Sequence, residues 1–266
     1  MDNNHFKDHV ALVTGGASGI GLGIARKFVA AGATVIAVGR NKEKLQAAGS
    51  ELGSRYIAEI CDVTDEKRIM EISQFVRKSY GKLDVLVNNA GNARFVSPEQ
   101  FDEKTFHFHF DVIVKGSMLF VKHFTPMLRE SSNPSIINIS SIAAGSNIIW
   151  PNHFLYSSAK LALEKYTQHL VRDLWGVRSN VIIPGLIDTP IWEAGLIEPL
   201  EGKSLSDTVN ELLEAAKQTI PAGRIGVPDD IAECVLFLCS DQARYINGAS
   251  IVIDGGMICS GLGLGL

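Results

Sequence analysis

The chain lacks an excess of either charge, any long hydrophobic run, and cysteines in metal-ligand spacing. Its net charge is −4 with 20% charged residues, and no block of one sign stands out, so nothing calls for nucleic acid or suggests a charged tail. No run approaches the roughly eighteen apolar residues of a membrane-spanning helix. The opening MDNNHFKDH has no apolar stretch of the kind a signal peptide needs. The closing MICSGLGLGL is apolar and glycine-rich but too short to span a membrane, and it reads as a flexible or packed terminus. Cys61, Cys234, Cys239 and Cys259 are sparse and scattered, which predicts reduced, mostly buried thiols, a cytoplasmic location and no metal site. Internal repeats and dividing linkers are also missing. A chain of 266 residues, 46% apolar, is therefore expected to form one domain over residues 1–266, with a sheet covered on both faces.

What is present is an alternation of short apolar runs with helical patterns. VALVT at 10–14 is followed by Gly15-Gly16-Ala17-Ser18-Gly19-Ile20-Gly21 and then by LGIARKFVAAG, a buried strand, a glycine turn and a helix start. Gly15, Gly19 and Gly21, with Ser18 and Ile20 between them, allow a tight turn and close approach of a pyrophosphate to the helix N-terminus. The next strand, 34–38, ends at Gly39-Arg40-Asn41, where an acid would hold the ribose 2′-hydroxyl of NAD(H) and an arginine suits the 2′-phosphate of NADP(H). Arg40 therefore predicts NADP(H), with NAD(H) as the alternative. The alternation continues through strands 56–60, 83–87, 135–141, 179–183 and 250–253, with helices at 42–52, 66–80, 103–129 and 229–239. It predicts an α/β fold, a doubly wound parallel sheet of Rossmann type with helices on both faces. Asp62 and Asn88-Asn89-Ala90-Gly91 fall at carboxyl ends of strands, where such sheets bind ligands.

His107 and His109 are two residues apart, so on a helix they diverge and make a poor metal pair, and at least one is expected to be partly exposed. The segment at about 189–222 reads as a substrate lid containing a short helix opened by a capping box at Thr208 to Glu211. In HFLYSSAKLALEKYTQHLVRDL, apolar spacing predicts a long amphipathic helix that carries Tyr156 and Lys160, four apart, on one face. A phenol beside an ammonium has a use in proton transfer, because the cation favours the phenolate.

Taken together, T-G-x-x-x-G-x-G at Thr14 to Gly21, Asp62-Val63, N-N-A-G at 88–91, Ser140-Ser141, Y-x-x-x-K at 156–160, P-G at 184–185 with Thr189, and I-D-G-G at 253–256 resemble the short-chain dehydrogenase/reductases along essentially the whole chain. The resemblance implies Tyr156 as general acid/base, Lys160 as the group that lowers its pKa and binds the nicotinamide ribose, and Ser141 as the hydrogen-bond partner of the substrate oxygen. Ser141 lies fifteen residues before Tyr156, a longer gap than usual, which implies a short insertion within Gly145 to Phe154 and leaves Ser140 as the alternative. It also implies Asp62 and Val63 at the adenine, Asn88, Asn89, Ala90 and Gly91 at the adenosine ribose and nearby backbone, and Pro184, Gly185, Ile187 and Thr189 on the nicotinamide side. The implied assembly is a homotetramer, or a homodimer, with helices around 106–124 and 156–174 forming one interface and the final strand another. Where the family usually has an asparagine anchoring a water-linked proton relay, this chain has Ile113, which offers neither donor nor acceptor. His109 or Asp111 would then rebuild the relay.

The expected activity is hydride transfer between NADPH and a hydrophobic ketone, or the reverse from a secondary alcohol. The pocket would be walled by Phe95, Ile148, Ile149, Trp150, Leu186 and Trp192. The alternatives are a nucleotide-binding protein without catalysis and a non-redox isomerase or dehydratase using the same tyrosine.

Overall fold

The computed structural model describes residues 5–145, 148–192 and 202–260. In chain order the first half comprises β1 (Val10–Thr14), α1 (Gly19–Ala30), β2 (Thr34–Gly39), α2 (Lys42–Leu52), β3 (Tyr56–Ile60), α3 (Glu66–Tyr80), β4 (Val85–Asn88) and α4 (Glu103–Phe110). A π-helical turn, Asp111–Lys115, joins α4 to α5 (Gly116–Leu128). Then come β5 (Ser135–Ile139), α6 (Ile142–Gly145), α7 (Phe154–Asp173), β6 (Arg178–Pro184), α8 (Leu205–Lys217), α9 (Pro228–Cys239) and β7 (Ser250–Ile253). All seven strands lie in one parallel sheet of order β3-β2-β1-β4-β5-β6-β7, the doubly wound arrangement expected from the alternation.

The strands are apolar on both faces because each face is covered. Ala11, Val13, Val35, Ala37, Val85 and Val87 point towards α1 and α9, packing with Ile24, Phe28, Ile231 and Val235. Their neighbours Val10, Leu12, Ile36, Val38 and Leu86 point the other way, onto Ile69, Ile72, Phe120 and Phe124 of α3 and α5. This period-2 division is what a parallel sheet between two helical layers requires. The strand order reverses between β1 and β4, so a crevice opens outside their carboxyl ends, where open α/β sheets bind ligands.

Several boundaries differ from expectation for local reasons. β4 begins at Val85, because the buried Asp84 carboxylate is taken up by the Val10 amide (2.8 Å) and the Ser131 hydroxyl (2.6 Å). The expected single helix over 103–129 is interrupted by the π-helical turn. The lid helix starts a turn earlier than the expected capping box: Ser204 is the N-cap and accepts from the Asp207 amide (3.1 Å). Residues 193–201 of the expected lid, and residues 146–147 of the expected insertion, lie outside the described residues.

Candidate active site

At the end of β1 the chain turns through Gly15 (φ +68°) and Gly19 (φ +51°) into α1. A side chain is excluded here. A Cβ on Gly15 would stand 2.8 Å from the Asn89 Nδ2, and one on Gly21 would stand 2.2 Å from the Gly15 carbonyl oxygen. The Thr14 hydroxyl accepts from the amides of Asn89 and Ala90 (3.0 Å each), while Asn89 Nδ2 donates to the Thr14 carbonyl (2.9 Å). The 88–91 segment is thereby tied to the glycine turn. Ser18 caps α1 in an extended conformation but makes no side-chain capping bond, which leaves the helix start available to an anion. A cleft of about 430 Å³ is lined by Gly15, Ala17, Ser18, Gly39, Arg40, Asn41 and Lys44. Backbone amides at a helix N-terminus beside two cations fit the phosphates of a dinucleotide. Arg40 is largely exposed, with Nη1 3.8 Å from Asp62 Oδ2.

Helix α7 carries Tyr156 and Lys160 to the carboxyl end of β5, and both are buried. Lys160 Nζ donates to the Ile139 carbonyl at 2.7 Å and lies 5.6 Å from the centre of the Tyr156 ring. Gly91 faces it, so that a Cβ there would come within 3.4 Å of Nζ. Burial pushes the Tyr156 phenol up to about 12, opposed by a hydrogen bond with Ser141. Burial also pulls Lys160 down to about 8, with the nearby Glu164 acting in the opposite sense. Near neutrality both groups carry their protons, an arrangement suited to donating one. Desolvation is the larger influence on the phenol, and Ser141 is the group that favours the phenolate. The two candidate serines separate clearly. Ser140 is buried and donates to Glu164 Oε1 at 2.6 Å, whereas Ser141 is the one that meets Tyr156.

The other expected positions also make contacts within the protein. Asn88 is buried and donates through Nδ2 to Asn138 Oδ1 (2.8 Å), a chain that continues through Thr167 to the Leu163 carbonyl and braces the sheet, while its Oδ1 has no partner among the described residues. Asp62 accepts from the Thr64 amide and hydroxyl (2.9 and 2.8 Å), and Val63 packs against Gly116. Beyond Pro184, Gly185 passes so close to Asp254 that a Cβ would lie 2.6 Å from the Asp254 Cβ. Ile187 is buried and its carbonyl accepts from Trp192 Nε1 (2.8 Å), while Thr189 borders Gly19. Among the expected pocket walls, Ile149 is 88% exposed. Only Cys61 and Cys239 are buried; Cys234 is half-buried and Cys259 exposed.

Both expected replacements for the relay asparagine make contacts elsewhere. His109 is fully buried, with Nε2 accepting from the Arg94 amide (3.1 Å) and Nδ1 on the Thr105 carbonyl (2.9 Å), so both nitrogens serve backbone. Asp111 pairs with His107 Nδ1 at 3.2 Å. Ile113 itself packs with Ala93, Ala143, Tyr156, Ala159 and Leu163. Sequence reasoning missed Thr14, Lys44, His153 and Glu164. Glu164 could have been found by helical spacing from Lys160 and Lys44 by its place in the first turn of the helix after Arg40, whereas His153 gives no such signal.

The chain matches the family model described as enoyl-(acyl carrier protein) reductase over residues 15–258. It is 34% identical over 256 residues to a 3-oxoacyl-(acyl-carrier-protein) reductase of Thermotoga maritima, covering 94% of this chain and 97% of that one. It is 33% identical over 253 residues to a D-threitol dehydrogenase of Mycolicibacterium smegmatis, covering 93% and 92%. The crystal structure of a short-chain dehydrogenase/reductase from Brucella melitensis, described as a glucose/ribitol dehydrogenase, superposes with a TM-score of 0.85 at 26% identity, covering 96% of this chain and 98% of that one. The glycine turn, the seven-stranded parallel sheet and these full-length matches identify the chain as a member of the short-chain dehydrogenase/reductase family, oxidoreductases that act on CH–OH and C=O groups with a nicotinamide dinucleotide.

Proposed function

We propose that this protein is an NADP(H)-dependent reductase of a mainly apolar ketone, running in reverse as a secondary-alcohol dehydrogenase. The observation that carries the reading is the convergence of Ser141, Tyr156 and Lys160 beside Gly91 at the carboxyl end of the sheet. A nicotinamide bound along this edge supplies or accepts the hydride. Tyr156 holds the proton that passes to the carbonyl oxygen, and Ser141 steadies that oxygen as negative charge develops on it. Lys160, anchored on the Ile139 carbonyl, presents a cation next to the phenol and orients the ribose. Asn89, Ala90, Gly91, Ile187 and Thr189 line the cofactor's path, with Gly15, Ser18, Gly19, Ile20 and Gly21 at the pyrophosphate.

Preference for NADP(H) rests on Arg40 and Lys44 beyond the end of β2, where Gly39-Arg40-Asn41 puts an arginine in the position at which an acid would hold the ribose 2′-hydroxyl of NAD(H). Residues 189–222 act as the substrate lid; α8 packs Leu213 and Ala216 against Ile142, Leu186 and Met257. The assembly is a homotetramer in the cytoplasm. Phe106, Met118 and Leu161 on the outer faces of α4, α5 and α7, and Val252 on the edge strand β7, supply exposed apolar surface for it. No described helix is long and apolar enough to cross a membrane.

Titration with NADPH and with NADH, followed by reduced-nicotinamide fluorescence, tests the cofactor. Binding of NADPH at least about tenfold tighter is expected, and a preference for NADH removes Arg40 from the site. Y156F should abolish turnover while leaving NADPH affinity within a few-fold. Substantial residual turnover refutes the catalytic assignment, and binding of neither nucleotide refutes the enzyme itself.

A further inference from the structure

His153 lies three residues before Tyr156 and is 4% exposed, yet neither of its ring nitrogens has a hydrogen-bond partner among the described residues. Buried polar groups are almost always paired, so a doubly orphaned imidazole beside a reaction centre points to a ligand. The local chain sets it there. Pro151 and Asn152 form a turn with Asn152 at φ +59°, the left-handed conformation asparagine tolerates, and the Asn152 carbonyl accepts from the Val96 amide at 2.8 Å. The imidazole is then held between rings. Its centroid is 4.7 Å from that of Tyr156, 5.1 Å from Phe95 and 5.5 Å from Trp150, which meets it edge-on. Trp150 Nε1 is likewise buried without a partner, as is Asn92 Oδ1, one residue beyond Gly91.

Desolvation pulls His153 down to about 4, with His109 adding a smaller effect of the same sign, so the ring is neutral under physiological conditions. A neutral imidazole offers one donor and one acceptor, which matches a hydroxyl and disfavours a carboxylate or an ammonium. The tilted contact with the Tyr156 ring, 4.7 Å between centroids, sets the imidazole beside the phenol that meets the reacting oxygen.

We propose that His153 determines substrate specificity by hydrogen-bonding a neutral oxygen on the carbon next to the reacting one, so that the substrate is an α-hydroxy ketone, or the matching vicinal diol, on an otherwise apolar skeleton. The inference deepens the carbonyl-reductase reading and rests on it: Phe95 and Trp150 hold the skeleton while His153 reads one added oxygen. Such a site discriminates strongly against the analogue that lacks the oxygen, because a substrate without it leaves the buried ring unpaired.

The experiment compares 2-hydroxycyclohexanone with cyclohexanone under NADPH. The wild type is expected to favour the hydroxy ketone in kcat/KM by about tenfold or more. H153L should bring that ratio close to one, and H153Q, which keeps a donor and an acceptor, should retain most of it. A ratio unchanged in folded H153L overturns the inference and leaves the carbonyl-reductase reading standing, as does equal use of both ketones by the wild type. If neither ketone is reduced, Y156F loaded with NADP⁺ answers independently of turnover, through the ¹⁵N resonances of the His153 ring. Movement on adding trans-cyclohexane-1,2-diol but not cyclohexanol upholds the role of His153; no movement with either overturns it.

Discussion

Replacing Lys160 by Met separates the functional value of this side chain from its cost to stability. The ammonium is buried, and its pKa falls from an ordinary 10.5 to about 8 mainly through desolvation. At 1.36 kcal/mol per pH unit that interval corresponds to about 3 kcal/mol. The sign follows from proton counting. Between pH 8 and 10.5 the unfolded chain keeps the Lys160 proton and the native protein does not, so this group adds stability as pH rises through that window and burdens the fold below it. K160M removes the burden but also deprives the Ile139 carbonyl of its 2.7 Å donor, a loss of about 1–3 kcal/mol. At pH 7 the variant should therefore match the wild type or exceed it by up to about 2 kcal/mol, while turnover is lost.

The decisive measurement is the difference between the two proteins in urea unfolding free energy from pH 7 to 10.5, at fixed protein concentration. Cys61 and Cys239, both pushed up to about 12 by burial, destabilise the native state as pH rises above the ordinary thiol range. They do so equally in both proteins, so they cancel in the difference. The advantage of K160M should shrink by about 3 kcal/mol across the window. Parallel curves would show that Lys160 is not charged and buried in the way described.

R40A should weaken NADPH binding by about 10- to 100-fold and leave NADH nearly untouched, since a charged hydrogen bond contributes about 1.5–3 kcal/mol; equal losses in both titrations sink the 2′-phosphate role. I113N buries an amide in the apolar cluster around Tyr156 and should cost about 1–3 kcal/mol in denaturant unfolding without raising kcat; a faster enzyme with an altered pH–rate profile would mean that a missing relay limits turnover. L161E places a charge on the exposed face of α7 and should reduce the particle mass seen by light scattering; an unchanged mass removes that helix from the proposed interface.

The fold was readable along the chain because its determinants are local. A strand between two covered faces must be apolar along its buried length, as Val10 to Val13 is, and a turn that brings Gly21 against the Gly15 carbonyl must lack side chains. Tyr156 and Lys160 were legible for the same reason, since four-residue spacing on a helix places two side chains together whatever surrounds them. Other features depend on partners distant in sequence. That Ser140 is held by Glu164 while Ser141 meets Tyr156, that Asn88 braces Asn138, and that His109 serves the Arg94 backbone are contacts between segments that only the folded chain juxtaposes.

The pKa values belong to the same class: the phenol and the ammonium are four residues apart by sequence, but desolvation by neighbouring elements sets the direction in which each moves. His153 is the extreme case. Nothing in its sequence context distinguishes it; only the folded chain shows that its two nitrogens have no partner among the described residues. The sequence by itself determined the doubly wound sheet, the dinucleotide-binding turn and the tyrosine–lysine pair. Tertiary structure alone decided which serine meets Tyr156 and which buried polar side chains are paired among the described residues, because hydrogen-bond saturation and burial are properties of the assembled interior.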